Sequence, residues 1–145
     1  MALEFSISDK PIDVIQLYSQ LNNHAAGALI VFEGRVRNQN EGKPVVALGY
    51  EAHDIIAEKE GLLIMKEAHD KFDIMDAIAV HRKGHLNLGD LAVWVGVIAG
   101  HRDGAYRASR YIIDELKQRV PIWKKEHYAG SEDNGGKWLE GALPE

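Results

Sequence analysis

Cysteine is absent from the 145 residues. That absence excludes disulfides, thiolate nucleophiles and cysteine-metal sites together, so any sulfur chemistry must use sulfur carried by something else. Long apolar runs are missing too. None approaches the ~20 residues that span a bilayer, and the opening "MALEFSISDK" has neither the basic start nor the apolar stretch of a signal peptide. A cytoplasmic location with no membrane attachment is expected. Nor is there an excess of positive charge: the formal net charge of -5 disfavours nucleic-acid binding, which depends on many phosphate contacts from Lys and Arg. Glycine-rich phosphate loops, HExxH zinc spacings and GxSxG nucleophile elbows do not occur. His81, His85 and His101 are flanked by Arg82, Lys83 and Arg102, which makes a divalent cation site unattractive; no metal and no other cofactor is expected.

What remains is the composition of an ordinary globular chain, 46% apolar, 27% charged and 8% aromatic. A chain of this size buries on the order of two-thirds of its unfolded surface, so one domain spanning 1–145 is expected. "SDKPIDVIQLYSQLNN" reads as a first helix, with Ser8 or Asp9 as cap, Pro11 in the first turn, and Ile12, Ile15 and Tyr18 at helical spacing. "GALIVFEGRVRN" reads as a strand on which Arg35 and Arg37 share a face. After the turn "NQNEGK", "PVVALGYEA" is a second strand expected to pair with the first as a hairpin. Asp54 caps a long helix whose apolar side is marked by Ile55, Leu62, Met65 and Phe72, despite Gly61. Strands follow near 74–81 and 91–99, the second apolar enough to be central. Asp103 opens a third helix with the stripe Ala105, Ser109, Ile112, Leu116 and Val120, ended by Pro121. Beyond lie an extended "IWKKE" and a polar tail with a turn at Gly135–Gly136. This order implies an α+β sandwich with helices on one side of a mostly antiparallel sheet.

Three basic stretches stand out against the acidic background. Arg35 and Arg37 form a pair of guanidinium forks suited to a phosphate or carboxylate, or else a solvated strand face. In "AGHRDG" a buried strand meets a helix start, where outward N–H groups, His101 and Arg102 can receive an anion, or Asp103 can simply cap the helix. In "LKQRVPIWKKE" Lys117 lies near a helix end that favours cations in any case. Strand alternation then puts Ile122, Lys124 and Glu126 on one face and Trp123 and Lys125 on the other. Pro121 stiffens the link between Lys117 and Lys124, and Trp123 supplies an apolar anchor.

Taken together, "FEGRVRN", "HRKGHLNLGD" and "GHRDGAYRASRYIIDELKQRVPIWKKE" strongly resemble the large, catalytic subunit of molybdopterin synthase, in order and without large insertions from Gly27 to about Trp138. The last block is the most specific. The resemblance implies an α/β hammerhead fold with a small accompanying β subdomain. It also implies a sulfurtransferase that adds two sulfurs to cyclic pyranopterin monophosphate, making the dithiolene of molybdopterin. The sulfur donor is a small ubiquitin-like subunit ending in a Gly-Gly thiocarboxylate, and two large subunits dimerise between two small ones. A cysteine-free chain suits that arrangement.

Carried over position by position, the family's catalytic residues fall on Lys117 and Lys124, and its substrate contacts on Arg35, Val36, Arg37, His101, Arg102, Lys125 and Glu126. The resemblance also implies that a basic residue can serve the neighbouring subunit's site. Phosphate and thiocarboxylate are both anionic, and two unit charges ~4 Å apart repel by about 4 kcal/mol at an effective dielectric of ~20. Cations must offset that repulsion. Lys117 is expected to stabilise the oxyanion formed at the tail, and Lys124, crowded by like charge and Trp123, to transfer protons. A noncatalytic docking subunit for a ubiquitin-like partner is the alternative; it leaves the strand arginines and "AGHRDG" without a shared task.

Overall fold

The computed structural model describes residues 3–128 and the backbone of 137–140. Its elements are β1 (Glu4–Ser8), α1 (Val14–Gln20), β2 (Ala28–Arg35), β3 (Gln39–Asn40), β4 (Lys43–Ala52), α2 (Asp54–Lys71), β5 (Asp76–Arg82), β6 (Gly84–Asn87), β7 (Leu91–Ala99), α3 (Arg102–Arg119), β8 (Ile122–Tyr128) and β9 (Lys137–Glu140). They form two sheets. The first runs β1-β5-β7-β2, with β1 parallel to β5 and the other pairs antiparallel. The second, smaller sheet runs β3-β4-β8-β9, with β6 also on β4. The α+β architecture is therefore as expected, including the accompanying β unit.

The central strand β7 occupies the expected residues and is buried from Ala92 to Ala99. Its side chains alternate between two cores. Val93, Val95, Val97 and Ala99 join the main core under α2 and α3, while Trp94 and Ile98 join Leu17 and Leu21 of the α1 region. Helices thus cover both faces of the first sheet rather than one. The stripe Ala105, Ser109, Ile112, Leu116 and Val120 is buried as the 3.6-residue period requires.

Other expectations change. Ser8 ends a strand instead of capping a helix: Phe5 is buried in the main core, and β1 pairs with β5 in parallel. The first helix starts only at Val14, capped by Asp13, whose Oδ1 accepts from the Gln16 N–H at 3.2 Å. Strand β2 pairs with β7, not with β4. The chain leaves the first sheet at an irregularity between Gly34 and Arg35 and turns through β3, where Glu41 (φ 51) and Gly42 (φ 79) form a two-residue hairpin loop with both centres left-handed. His53, not Asp54, caps α2. That helix buries Ala57, Gly61, Ile64, Met65 and Ala68, whereas Ile55 is 72% exposed. The expected turn at Gly135–Gly136 lies outside the described residues.

Candidate active site

At the junction of the sheets the chain passes from β2 through Arg35, Val36 and Arg37 into the β3 hairpin. Arg35 and Arg37 are exposed on either side of buried Val36. Arg35 donates to Glu33 at 2.9 Å. The Val36 N–H donates to the Asp90 carbonyl at 3.0 Å, and its carbonyl accepts from the Gly89 N–H at 2.7 Å. Val36 is only 3% exposed, so the structure makes it the anchor that fixes both arginines, not a surface open to a ligand.

Lys124 and Glu126 lie on one face of β8, as alternation requires, and Lys125 on the other. Glu126 is 1% exposed. Its Oε1 accepts from Asn40 Nδ2 at 2.7 Å and lies 3.3 Å from Lys124 Nζ, while Tyr128 donates its hydroxyl to Oε2. Burial pushes the Glu126 carboxyl up, but the hydrogen bonds from Tyr128 and Asn40 and the charge of Lys124 outweigh it, so the group titrates below the ordinary carboxylate value. The bond to Glu126 in turn raises the Tyr128 phenol to about 12. Lys124 is therefore not crowded by like charge: its neighbour is a buried carboxylate, and its side chain is 13% exposed.

Beneath this pair, Tyr50 is the register partner of Lys124 and is 1% exposed. Its phenol is pushed far up by burial and by the Glu126 charge. Among the described residues its hydroxyl has no hydrogen-bond partner.

Lys117 stands in the last turn of α3 and lines a groove of about 590 Å³ between α3 and β2 whose walls include Ile30, Phe32, Tyr106 and Ile113. The lining is mainly hydrocarbon, with the charged groups Lys117, Arg110 and Asp114, the last two paired at 2.9 Å. Val120 and Pro121 lead from Lys117 directly into β8, so the two lysines flank one short junction.

His101 and Arg102 sit elsewhere. His101 holds the N-cap position of α3 without a side-chain capping bond, and both residues are exposed. Asp103 lies in the first turn, 3.8 Å from Arg107, instead of capping. Sixteen residues of helix separate His101 from Lys117, about 24 Å at 1.5 Å per residue. Arg35 and Arg37 precede the hairpin whose Asn40 bonds Glu126 beside Lys124, and Lys117 lies in the last turn of α3 before β8, whereas His101 and Arg102 lie at the other end of that helix.

Asn40, Tyr50 and Tyr128 escaped the sequence reading. Tyr128 was within reach of it, being two residues from Glu126 on the same strand face. Asn40 carried no such signal, since its contact spans 86 residues of chain.

The sequence pattern of the MoaE protein family matches residues 7–119. The molybdopterin synthase catalytic subunit of Thermoplasma volcanium is 40% identical over 91% of this chain and 94% of its own; that of Pyrococcus abyssi is 40% identical over 94% and 90%. The crystal structure of molybdopterin synthase from Staphylococcus aureus superimposes with a TM-score of 0.86 at 37% identity, covering 96% of this chain and 98% of that one. A complex of subunits 1 and 2 of molybdopterin-converting factor from Helicobacter pylori shares the fold at 18% identity and a TM-score of 0.71. By sequence and by fold the chain belongs to the MoaE family, the catalytic subunits of molybdopterin synthase in molybdenum cofactor biosynthesis.

Proposed function

We propose that the chain converts cyclic pyranopterin monophosphate to molybdopterin in the cytoplasm by two sulfur transfers from the C-terminal thiocarboxylate of a small ubiquitin-like subunit. The observation that carries this reading is the junction of α3 and β8, where Lys117, lining the groove, and the pair of Lys124 with buried Glu126 lie within one short segment. The tail of the small subunit occupies the groove, with its anionic terminus at Lys117. Once the thiocarboxylate sulfur has bonded to a pterin carbon, water adds to the resulting thioester carbonyl; the ammonium stabilises the oxyanion so formed, and cleavage of the tail's C–S bond leaves sulfur on the pterin and a carboxylate on the tail. Lys124, with Glu126 as counter-ion, protonates oxygen as the cyclic phosphate opens and oxygen is lost. Arg35 and Arg37 bind the anionic substrate, and Lys125, on the opposite face of β8, contributes charge at the rim. The complex of two converting-factor subunits described for the Helicobacter pylori relative supports a small partner here too.

His101 and Arg102 enter this reading through a second copy of the chain. A two-fold axis that sets the α3 helices of two copies antiparallel carries the amino end of one α3 to the carboxyl end of the other, closing the ~24 Å gap. His101 and Arg102 of one subunit then hold the phosphate of the substrate bound beside Lys117 of its mate. The direct test is incubation with thiocarboxylated small subunit and cyclic pyranopterin monophosphate, followed by detection of the dithiolene. Product in proportion to thiocarboxylate consumed is expected; binding of the small subunit with no dithiolene would leave only a docking role.

A further inference from the structure

A buried carboxylate needs hydrogen bonds to its oxygens as well as a counter-charge. Glu126 sits 1% exposed on β8, and the ammonium of Lys124 reaches Oε1 at 3.3 Å, a long contact for a charge-assisted bond. The shorter contacts come from two neutral groups. Asn40 Nδ2 donates to Oε1 at 2.7 Å, and the Tyr128 hydroxyl donates to Oε2. Each oxygen thus has its own neutral donor, which fixes the carboxylate plane without using the proton of Lys124. The Asn40 bond does something further. Asn40 lies in the hairpin that follows Arg35 and Arg37, so the bond ties the arginine-bearing segment to the lysine-bearing strand 86 residues away. That hairpin is otherwise held by its short pairing with β4 and by the Val45 N–H donating to the Asn38 carbonyl at 2.8 Å.

We infer that Asn40 and Tyr128 are positioning residues for sulfur transfer: they clamp the Glu126 carboxylate between them so that Lys124 and the Arg35–Arg37 segment are held at one site. The inference rests on the proposed sulfur-transfer reading. Among the described side chains, the groups facing the clamp include Lys124 on β8, Glu41 in the hairpin, and Lys43 and Tyr50 on β4. Lys43 stands 5.7 Å from the centre of the Tyr128 ring, Glu41 adds negative charge near Tyr128, and the Tyr50 phenol feels the Glu126 charge. The hydrogen bonds to Glu126 contribute to its lowered carboxyl titration, as a clamp made for the ionised form requires.

The experiment uses Tyr128→Phe, which removes one hydroxyl and keeps the ring, and Asn40→Ala. Three quantities are measured on the full chain: the Glu126 carboxyl titration by carbon NMR, affinity for the small subunit, and the rate of dithiolene formation at saturating substrates. Both variants are expected to raise the Glu126 midpoint, to keep affinity within about twofold, and to slow the saturated rate about tenfold, the scale of one lost hydrogen bond to a charged group. Asn40→Asp, which sets a second carboxylate against Glu126, is expected to slow it further. An unchanged Glu126 midpoint in folded Tyr128→Phe overturns the clamp. A raised midpoint with an unchanged rate overturns the positioning role, and a fall in small-subunit affinity that accounts for the rate loss assigns both residues to docking instead. If the parent chain makes no dithiolene, the sulfur-transfer reading fails and the positioning role falls with it, while the titration still decides whether the clamp exists. Should Asn40→Ala not fold, Tyr128→Phe decides alone.

Discussion

Two lysines seven positions apart meet different surroundings, and the difference assigns different tests. Lys117 borders a mainly apolar groove, so on the proposed reading its removal strips charge from the tail terminus without disturbing the β8 clamp. Lys117→Ala is expected to slow dithiolene formation at least a hundredfold, the usual scale for loss of an oxyanion donor. Calorimetric affinities for small subunit and substrate should stay within a few-fold; loss of tail binding alone would make Lys117 a docking residue. A buried histidine governs stability rather than rate. His81 is fully buried, its Nδ1 donates to the Arg82 carbonyl at 2.6 Å, and its ring meets the Tyr50 ring edge-on at 4.9 Å. Burial lowers its pKa from 6.5 to about 4, against the opposing pull of the Arg82 carbonyl. Because the folded value is depressed, the unfolded chain binds the proton first as pH falls. The stability His81 contributes is thus full above pH 6.5 and is lost as pH drops toward 4. Urea titrations between pH 8 and 4 should show a decline of up to about 3 kcal/mol from this group, and His81→Phe should flatten that slope. The sequence displayed Lys124 and Glu126 on one strand face through simple alternation. It did not display the pairing of Glu126 with Asn40 or the burial of His81, because both depend on how the two sheets meet.

Elements with a strong period were legible and elements set by distant partners were not. The stripe of α3 and the apolar run of β7 fall where the pattern puts them, since each buries a face that its own residues define. β1 went unread because Phe5 and Ile7 are too few to mark a strand, and its pairing is with β5, more than seventy residues away. The expected β2–β4 hairpin failed for a related reason: adjacency in sequence suggested it, but β2 completes the β7 sheet edge while β4 finds β8. Helix α2 shows the same dependence. Its buried face sets Ala57, Gly61 and Ala68 beside Ile64 and Met65, and Gly61 lies where the helix crosses β1, so that an added Cβ would overlap the ring of Phe5. Gly61→Ala should improve intrinsic helix propensity by about 1 kcal/mol yet force the aromatic ring aside. A net destabilisation of about 1–3 kcal/mol is expected from the overpacking, read as a lower urea midpoint with unchanged slope. A midpoint that rose instead would mean that the helix and β1 separate freely. Opposite that contact, Arg119 of α3 binds Glu60 at 2.7 Å and Glu67 at 2.7 Å on α2, so the two helices are fastened near the same end of α3 that carries Lys117.

At the scale of the whole molecule, the ~24 Å along α3 between His101 and Lys117 decides how many chains make one site. The sequence showed both motifs in one block but not which chain each serves, because the helix between them carries their side chains to opposite ends. If a site takes Lys117 from one chain and Arg102 from another, two inactive variants should repair each other. Lys117→Ala and Arg102→Ala, each tested alone, should form dimers with no working site. Mixed in equal amounts and allowed to exchange subunits, half of the dimers become mixed, and each mixed dimer has one site with both residues intact and one with neither. Dithiolene formation should then recover to about one quarter of the parent rate, the statistical value for a two-fold symmetric dimer. A site confined to one chain gives no recovery at any mixing ratio, since every chain in the mixture still lacks one residue. The appearance of that quarter, rising as subunits exchange and absent when the variants are cross-linked as homodimers before mixing, would establish that the two ends of α3 act together only across two copies.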